Sequence, residues 1–398
     1  MEDILIISNY YPPEKGAAAN RIEHLAKKLH QKNYRVSVVC PLGNYPKGQL
    51  FAEYKGKFSV TEQRENINVK RLWIYPSVSK NLVVRLLSVC SFSLMLFFYL
   101  VCKKTPKKVI VQSPPLLLSF ISVFVLSFKR KKIILNVSDL WPLAAIELRA
   151  LKENSVSHKI SLYLEQFIYK NSTLILGQSN EILNHIKSIF PAKSCFLYRN
   201  FPDHKINEKV LTRASESPGN QPIKIFYAGL LGIAQGVFEL CQNLDLSLLN
   251  IELHLFGDGA ERNQIEALIS SQNKQKIFFH GMVERNELHE RLKYYDVAIV
   301  PLKTRIYGSV PSKIFEYTAL GFPILYFGGG EGEHIVIENN LGWVAEVENF
   351  EALNSAILEI STLSREQLNS LKNNVFTTSK SAFNLDRQMN ELLEKKVF

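Results

Sequence analysis

The sequence predicts an α/β protein built from two domains, each a parallel β-sheet with helices on both faces. Short apolar strand candidates alternate with helical patterns along most of the chain, and this alternation is typical of parallel sheets. The chain has 398 residues, of which 46% are hydrophobic. Because a single hydrophobic core stops growing at a smaller size, we expect two domains of roughly 200 residues each.

The first predicted domain spans residues 1–203. Residues 3–9 are typical of a buried strand, a loop containing two prolines and Gly16 follows, and residues 20–31 have the spacing of an amphipathic helix. A strand, a loop and a helix in this order open a Rossmann-like unit. Further strand candidates lie at residues 35–39, 69–74, 109–111, 133–137, 174–176 and 195–198.

A second series of strands follows a polar segment at residues 204–221, which we interpret as the interdomain linker. The second predicted domain spans residues 222–375. Residues 376–398 are expected to form a C-terminal helix that packs back on the first domain. The strand candidates of the second domain lie at residues 223–228, 251–256, 276–280, 297–300, 323–326 and 343–347.

Charge is distributed unevenly between the halves. Residues 1–200 contain 29 Lys and Arg against 12 Asp and Glu, whereas the remainder contains 19 against 25. The basic half is expected to face an anionic partner, and the candidates are nucleic acid, lipid headgroups and a phosphorylated acceptor. The alternative is a basic surface that only makes the protein soluble.

Two apolar segments in the basic half have lysines at their ends. The first runs from Leu86 to Cys102 without a charge and is followed by lysines up to Lys108; the second begins at Leu116 and ends in a basic cluster at Lys132. The first segment is shorter than the ~20 residues of a typical membrane span. We predict that both segments contact an anionic membrane surface, peripherally or monotopically. Buried helices that cover a sheet are the alternative, and both descriptions can hold for different faces.

The cysteines and histidines indicate neither a disulfide framework nor a metal centre. The five cysteines lack CxxC spacing, and none of the nine histidines falls in a motif. The acidic N-terminus, followed by a short apolar run, predicts no signal peptide. We therefore expect a protein in the reducing cytoplasm, at the inner face of the membrane, with no metal and no cofactor.

The stretch around Lys313 gives the most specific chemical prediction. Lys313 and Glu316 are one helical turn apart, Pro311 suits a first helical turn, and Gly321 with Pro323 ends the helix. A lysine at the positive end of a helix attracts phosphate, and a carboxylate nearby accepts hydrogen bonds from sugar hydroxyls. This pair suits a nucleotide sugar, with a solvated lysine as the alternative for Lys313.

Glycine-containing loops provide further candidates for donor binding. Gly16 leaves room for backbone N–H groups to approach a ligand, although a purely structural turn is the alternative. Gly229 and Gly232 follow the first strand of the second domain, at the sheet edge where ligands lie. Gly330 and Glu331 follow another strand of the same domain, in what could equally be a flexible loop.

Taken together, these motifs resemble the GT-B glycosyltransferases of family 4, in particular the bacterial surface-polysaccharide subgroup that includes colanic acid and N-acetylfucosamine transferases. The resemblance covers both domains and implies two Rossmann-like domains with a cleft between them. It is carried by the segments at residues 11–16 with Arg21, 44–48, 113–116, 139–142, 227–236, 256–259, 311–317 and 321–323.

The resemblance also implies roles for individual donor-site residues. Glu316 corresponds to a glutamate that binds the ribose of the donor in similar enzymes, while the position of its usual partner glutamate is occupied by Gly308. The loop that contains Gln235, another donor-binding candidate, lacks the arginine and lysine of many relatives. Lys313 is therefore the first candidate to neutralise the donor diphosphate, with Lys303 and Arg305 in reserve.

The acceptor side is predicted to involve Glu14, Arg21, Asp139 and Trp141. Asp139 lies in the Asp-Leu-Trp-Pro motif of the resembled subgroup and is a candidate to position the acceptor hydroxyl or accept its proton, which makes it, with Lys313, a catalytic candidate. A helix N-cap is the alternative for Asp139.

The resemblance implies a retaining transferase that moves a sugar from a nucleotide sugar, expected to be UDP-linked, to a polyprenyl-diphosphate-linked saccharide. Capsule, O-antigen or exopolysaccharide synthesis is the implied pathway. The absence of an Asp-x-Asp pair agrees with a metal-independent class. The alternatives are a UDP-sugar epimerase of similar shape and a non-catalytic scaffold. A nucleic-acid-binding protein is not favoured, since the lysines flank apolar runs and do not interleave with stacking aromatics.

Overall fold

The computed structural model describes residues 1–14, 16–45, 47–79, 81–203, 221–271, 274–395 and 397–398. The chain divides into two compact units. Unit 1 comprises Met1–Asn200, Ile306–Ser309 and Asp386–Phe398, and unit 2 comprises Phe201–Arg305 and Val310–Leu385. The predicted linker, apart from Gln221, lies outside the described residues.

The elements are numbered in chain order. They are β1 (Asp3–Ile7), α1 (Ala17–Gln31), β2 (Arg35–Pro41), a 3₁₀ turn (Ala52–Tyr54), β3 (Ser59–Arg64), β4 (Ile67–Leu72), α2 (Leu82–Cys102), β5 (Lys108–Ser113), α3 (Leu116–Phe128), β6 (Lys132–Val137), α4 (Leu143–Glu147), α5 (Val156–Asn171), β7 (Leu174–Gly177), α6 (Asn180–Ile189), β8 (Cys195–Leu197), β9 (Ile223–Leu230), α7 (Val237–Asn243), β10 (Ile251–Asp258), α8 (Arg262–Ser271), β11 (Ile277–Phe279), α9 (Arg285–Leu292), β12 (Val297–Pro301), α10 (Ser312–Ala319), β13 (Ile324–Phe327), α11 (Glu331–Glu338), β14 (Gly342–Ala345), α12 (Phe350–Ser361), α13 (Arg365–Ala382) and α14 (Leu385–Leu393).

The sheet of unit 1 has the order β3-β4-β2-β1-β5-β6-β7-β8 within the described chain. Its strands pair in parallel except β3, which is antiparallel to β4. The sequence did not predict β3, because this edge strand has no apolar run. Side chains from one face of the sheet pack with α2, α3, α5 and α6, and those from the other face pack with α1 and α14.

The sheet of unit 2 has the order β11-β10-β9-β12-β13-β14 and is parallel throughout. Both of its faces are covered by hydrophobic clusters, as expected for parallel strands linked by helices. The prediction of an α/β protein with two parallel-sheet domains is confirmed. β9 pairs with β10 on one side and with β12 on the other, so the strand order reverses between β9 and β12.

The C-terminal segment contains two helices where one was predicted at residues 376–398. α13 ends at Ala382, and α14 begins at Leu385. Residues 386–398 belong to unit 1, in which Met389 and Leu392 of α14 are buried. Asp386 forms an ion pair of 2.8 Å with Lys28 of α1.

Candidate functional site

The loops that follow β9 and β12 start at the carboxyl ends of neighbouring strands whose order reverses in the sheet. In open α/β sheets, ligands bind at this point. The loop after β9 leads into α7, and the loop after β12 leads into α10. These loops contain the predicted donor-binding residues Gly232, Gln235, Lys303 and Arg305, whereas Gly229 lies near the end of β9 and Lys313 and Glu316 lie on α10.

Lys313 lies at the first turn of α10 and reaches back to the end of β9. The helix begins after Pro311 and ends before Gly321, whose φ is +81°, so the predicted helix boundaries are confirmed. The Nζ atom of Lys313 donates a hydrogen bond to the carbonyl oxygen of Ala228. It also lies 5.4 Å from the ring centroid of Tyr227 and is therefore a cation held against an aromatic face.

Gly229 makes this position of the lysine possible. A Cβ atom on residue 229 would overlap both Nζ and Cε of Lys313. Nearby, the Tyr227 hydroxyl donates to the Leu230 carbonyl (2.6 Å) and the Tyr317 hydroxyl donates to the Ala228 carbonyl (2.7 Å). Burial raises the pKa of both phenols, so these side chains are neutral hydrogen-bond donors beside Lys313.

Glu316 is half-buried and lies on the same short helix as Lys313. The Ser312 hydroxyl donates to its Oε1 atom at 3.1 Å. A carboxylate accepts several hydrogen bonds, so this contact leaves acceptor capacity for sugar hydroxyls. The structure therefore brings Gly229, Lys313 and Glu316 together, while their ligand roles stay predictions.

The turn after β9 is formed around Gly232. The backbone N–H of Gln235 donates to the Gly232 carbonyl at 3.0 Å, and a Cβ on residue 232 would lie 2.6 Å from the Gln235 side chain. Lys303 adjoins this turn, because its backbone N–H donates to the Ala234 carbonyl. Its Nζ forms an ion pair of 2.6 Å with Glu239, which raises the lysine pKa. Lys303 is thus already paired, and Lys313 is the better diphosphate candidate.

The Arg305 side chain packs against the backbone of Gly330 at the start of α11. Gly330 has a φ of +79°, and a Cβ there would lie 2.7 Å from Nε of the exposed Arg305. Glu331 is the first residue of α11 and is buried. The arginine lies beside a helix N-terminus, a combination that favours anions.

Two further glycines, to which the sequence alone assigned no role, allow the ends of β9 and β10 to approach each other closely. A Cβ on Gly257 would overlap the Gly229 carbonyl, and a Cβ on Gly259 would overlap the Leu231 carbonyl. Both belong to the 256–259 motif. The motif identified the position, but the strand pairing was needed to explain it.

In unit 1, a buried polar network crosses the ends of β5 and β6. Arg21 donates from Nη2 and Nε to Oδ1 of Asn136, at 2.7 and 3.2 Å. The Asn136 amide donates to Gln112, and the Gln112 amide donates to Ser138 at 2.8 Å. Sequence reasoning missed Gln112 and Asn136; the available signal was a polar residue inside an otherwise apolar strand.

Arg21 is a desolvated cation in this network. It is 2% exposed, and burial lowers its pKa to about 10. Its guanidinium lies 5.0 Å from the ring centroid of Tyr198, while Nη1 has no hydrogen-bond partner among the described residues. The hydrogen bonds to Asn136 thus hold this charge near the carboxyl end of β6, an interior strand of the sheet.

Asp139 follows β6 and is half-buried. Burial raises the pKa of its carboxyl, while the charge of Arg21 and a hydrogen bond from Ser138 oppose the shift. The N-cap of the next helix, α4, is Pro142, so Asp139 does not have the alternative capping role. Trp141 is half-buried and packs on the core of unit 1.

Glu14 has a structural role in unit 1. Its carboxylate accepts backbone N–H groups of Asn44 (3.0 Å), Tyr45 (3.1 Å) and Tyr11 (3.4 Å), and it is 2% exposed. It joins the loops after β1 and β2. Gly16, the N-cap of α1, has a φ of +140° and also lies in unit 1. Acceptor binding by Glu14 and donor binding by Gly16 stay predictions.

Gly308 belongs to the segment Ile306–Ser309 of unit 1. Its N–H donates to Glu181 (2.7 Å), and its carbonyl accepts from the Ser179 hydroxyl (2.7 Å). With a φ of +86°, a Cβ would lie 2.8 Å from Cγ1 of Ile182. This backbone conformation requires glycine, so the carboxylate expected from the resemblance does not fit here.

The lysines that flank the apolar segments fall into two groups. Lys129 donates to the carbonyls of Leu100, Val101 and Lys103 at the end of α2, and the buried Lys108 pairs with Glu2. Lys103, Lys104, Lys107 and Arg130 are exposed. By length and composition, Val83–Cys102 is apolar enough to cross a membrane, and 28% of its apolar window is buried.

Comparison with known proteins identifies the domain and the fold. Residues 209–378 match the family model described as glycosyl transferases group 1. No curated protein matches the chain. The chain is similar to the sucrose-phosphate synthase of Thermosynechococcus elongatus, with a TM-score of 0.75 and 16% identity over 99% of this chain and 98% of that chain. It is also similar to WaaG, a glycosyltransferase involved in lipopolysaccharide biosynthesis, with a TM-score of 0.65 and 12% identity over 98% of this chain and 100% of that chain. A third similar structure is HepE of Anabaena in complex with UDP, with a TM-score of 0.66 and 12% identity over 99% of each chain.

These likenesses confirm the predicted GT-B fold, and at such low identity they show the fold alone. The group 1 domain supports glycosyl transfer, so the chain is a glycosyltransferase, as predicted. The finding favours an enzyme over the scaffold and glycosyl transfer over epimerisation.

Proposed function

We propose that this glycosyltransferase moves a sugar from a UDP-linked donor to a polyprenyl-diphosphate-linked saccharide, with retention of anomeric configuration. We place it in family 4, in the surface-polysaccharide subgroup that makes capsule, O-antigen or exopolysaccharide. The reaction takes place at the cytoplasmic face of the membrane. The proposal depends on one observation: the Lys313 amine packs against Gly229 and donates a hydrogen bond to the Ala228 carbonyl, near the carboxyl end of β9.

The donor diphosphate binds at the start of α10. Its oxygens accept hydrogen bonds from the Lys313 ammonium, which has three donors and spends one on the Ala228 carbonyl. The helix N-terminus adds favourable dipole interactions. Glu316, one turn further on, accepts hydrogen bonds from the ribose hydroxyls. The UDP in the HepE structure supports this class of donor.

The protein accelerates transfer mainly through charge and geometry. In a front-face reaction, the leaving phosphate takes the proton of the attacking acceptor hydroxyl as the sugar–phosphate bond breaks. Lys313 stabilises the negative charge that develops on the diphosphate. No metal is needed for this step, since the lysine and the helix end supply the positive charge.

The acceptor binds to unit 1. Asp139 positions the acceptor hydroxyl, and Arg21 maintains the orientation of the network behind it through Asn136. Trp141 adds an aromatic surface for a sugar ring. The excess of basic residues in residues 1–200 supports an acceptor that carries phosphate.

The lipid-linked nature of the acceptor is supported by α2 and α3, which have exposed apolar side chains and nearby exposed cations such as Lys103 and Lys104. Such a surface favours anionic lipid. WaaG, which shares the fold, is involved in lipopolysaccharide biosynthesis.

Thermal-shift measurements against a panel of UDP-, GDP- and ADP-sugars test the donor. We expect a UDP-sugar to raise the melting temperature and to support transfer to a polyprenyl-diphosphate saccharide in membranes. Stabilisation by none of the panel, together with no transfer, contradicts the proposal. Binding with release of the free sugar but no transfer to lipid contradicts the acceptor assignment alone.

A further inference from the structure

Three helices form one layer on the same face of the unit 1 sheet. α3 packs between α2 and α5, and the inward side chains of all three join the same core. On α2, the inward residues Phe92, Leu96 and Leu100 are fully buried. The outward sides of these helices therefore make a common surface.

That common surface is apolar across all three helices. Phe120 of α3 lies 5.0 Å from Phe167 of α5, measured between ring centroids, which makes the surface continuous between the two helices. On α5, the exposed apolar residues are four and then three positions apart and therefore lie on one face. The large exposed apolar residues of the three helices are Val83, Leu86, Leu87, Leu94, Phe98 and Val101 on α2, Phe124 and Phe128 on α3, and Val156, Ile160 and Tyr163 on α5. Contiguous apolar patches of this kind mark interaction surfaces.

The partner of this surface is indicated by charge. The only acidic residue within α2, α3 and α5 is Glu165, which is 1% exposed. Exposed cations lie at the edges of the three-helix layer, among them Lys104, Arg130, Lys152 and Lys159. The three helices expose no acid, and the cations at the edges of the layer outnumber the exposed Glu153 that adjoins Lys152. An apolar face with a predominantly basic edge is complementary to anionic lipid.

The sheet topology excludes a single crossing of the membrane by α2. This helix connects β4 to β5, and both strands belong to the same sheet. β4 is joined to β5 through β2 and β1, which pair by continuous parallel ladders. A single crossing would place strands of one hydrogen-bonded sheet on opposite sides of the bilayer. α2 must therefore stay on one side, although its length suffices for a span.

We propose that α2, α3 and α5 together lie flat in the headgroup region of an anionic bilayer, with α5 as a third docking helix that the apolar segments of the sequence did not reveal. This inference rests on the proposed function for its membrane location and adds the orientation and the α5 contact. Tyr163, which is 65% exposed, enters the interface, where an aromatic ring with a polar tip is favourable. Phe128, which is 76% exposed, adds apolar area that inserts below the headgroups.

The α5 contact is tested with a matched pair of full-length variants. Ile160→Glu/Tyr163→Glu places two carboxylates on the docking face. Ser157→Glu/Gln166→Glu adds the same charge at exposed polar positions of the same helix, away from the centre of that face. Sedimentation uses vesicles of phosphatidylcholine alone or of equal parts phosphatidylcholine and phosphatidylglycerol.

We expect the wild type and the Ser157/Gln166 variant to bind the anionic vesicles, and the Ile160/Tyr163 variant to bind at least about tenfold more weakly, since two apolar contacts are lost. Equal binding by both variants overturns the α5 contact. A wild type that binds no vesicles, but forms lipid-free dimers that the Ile160/Tyr163 variant abolishes, shows that the surface pairs two copies instead.

The flat orientation is tested with a cleavable tag at each end of the chain. Protease added outside the vesicles should remove both tags, and protection of one tag overturns the flat orientation. Donor thermal shifts on the same samples separate the two proposals. A retained UDP-sugar shift with no vesicle binding refutes the docking surface alone, whereas vesicle binding without any donor shift refutes the proposed donor.

Discussion

Lys313 and Tyr317 donate hydrogen bonds to the same acceptor, the carbonyl oxygen of Ala228. The two residues are four positions apart on α10 and therefore lie on one face of the helix. The shared acceptor fixes the start of α10 against the end of β9. It also holds the lysine amine at a defined position before any donor arrives, which lowers the entropy cost of binding.

Removing the amine should slow transfer with little effect on folding. Lys313→Met is expected to lower kcat/KM about 100- to 1000-fold, because the charge on the leaving diphosphate loses its main donor. Steady-state kinetics with the UDP-sugar measure this, and circular dichroism checks the fold. Gly229→Ala should give a similar loss by displacing the amine, and the double variant should be no worse than Lys313→Met alone. Additive losses contradict a shared mechanism.

Glu316→Ala should weaken donor binding about 10- to 100-fold, the value of hydrogen bonds to a charged acceptor. The measurement is calorimetric titration with a UDP-sugar and with its ribose-deoxy analogue. The wild type should bind the ribose-deoxy analogue about 10- to 100-fold more weakly than the UDP-sugar. Glu316→Ala should bind the two ligands with equal affinity. Ser312→Ala serves as the control, since it removes only the hydroxyl that contacts Glu316. If the variant still distinguishes the two ligands, the ribose contact lies elsewhere.

Asp139 should give the pH profile of transfer an acidic limb. Burial raises its pKa above the ordinary value of 3.8, so the ionised form, which orients the acceptor hydroxyl, is lost as the pH falls through that raised pKa. In Asp139→Asn, kcat/KM should be lower at neutral pH and the limb absent. Because the buried charge also costs stability above pH 3.8, the same variant should melt higher at neutral pH. An unchanged limb in the variant assigns the titration to another group.

Gly308→Ala should destabilise the protein by at least about 1–2 kcal/mol, through the positive φ and the overlap with Ile182. Thermal melting measures the change. Gly308→Glu should be no better, and the restored carboxylate should not raise the rate. A Glu variant that is more active than wild type indicates that the segment adopts another conformation when substrate binds.

The stability of unit 2 should fall in mild acid because of two stacked histidines. His254 Nδ1 and His280 Nε2 are 2.9 Å apart, and burial lowers the pKa of both below 6.5. Lys224 and Arg291 add to the shift at His280, whereas Glu252 opposes it at His254. The unfolded state therefore takes up protons first, and the stabilisation present above pH 6.5 is lost as the pH falls below that value.

His280→Phe keeps the ring stack with Phe256, in which the centroids are 4.5 Å apart, and removes one titrating group. Its melting temperature should decline less steeply than that of the wild type between about pH 7.5 and about pH 5. The exposed His334, changed to Gln, provides the control and should retain the wild-type slope. Equal slopes in all three proteins contradict the assignment.

Local patterns were sufficient for part of the site. The spacing of Lys313 and Glu316, with Pro311 and Gly321 at the helix ends, predicted α10 correctly, because helix boundaries and shared faces depend on residues a few positions apart. The alternation of strand and helix patterns predicted both parallel sheets for the same reason.

Local sequence patterns could not predict contacts between residues that are far apart in the chain. The sequence by itself determined the fold class, the order of the motifs and the composition of the donor helix. Only the tertiary structure decided that Arg21 meets Asn136, 115 positions away, that Gly257 faces Gly229, and that Glu14 joins two loops. The physical reason is that periodicity records which side of an element is buried, whereas the order in which strands pair determines which buried residues become neighbours.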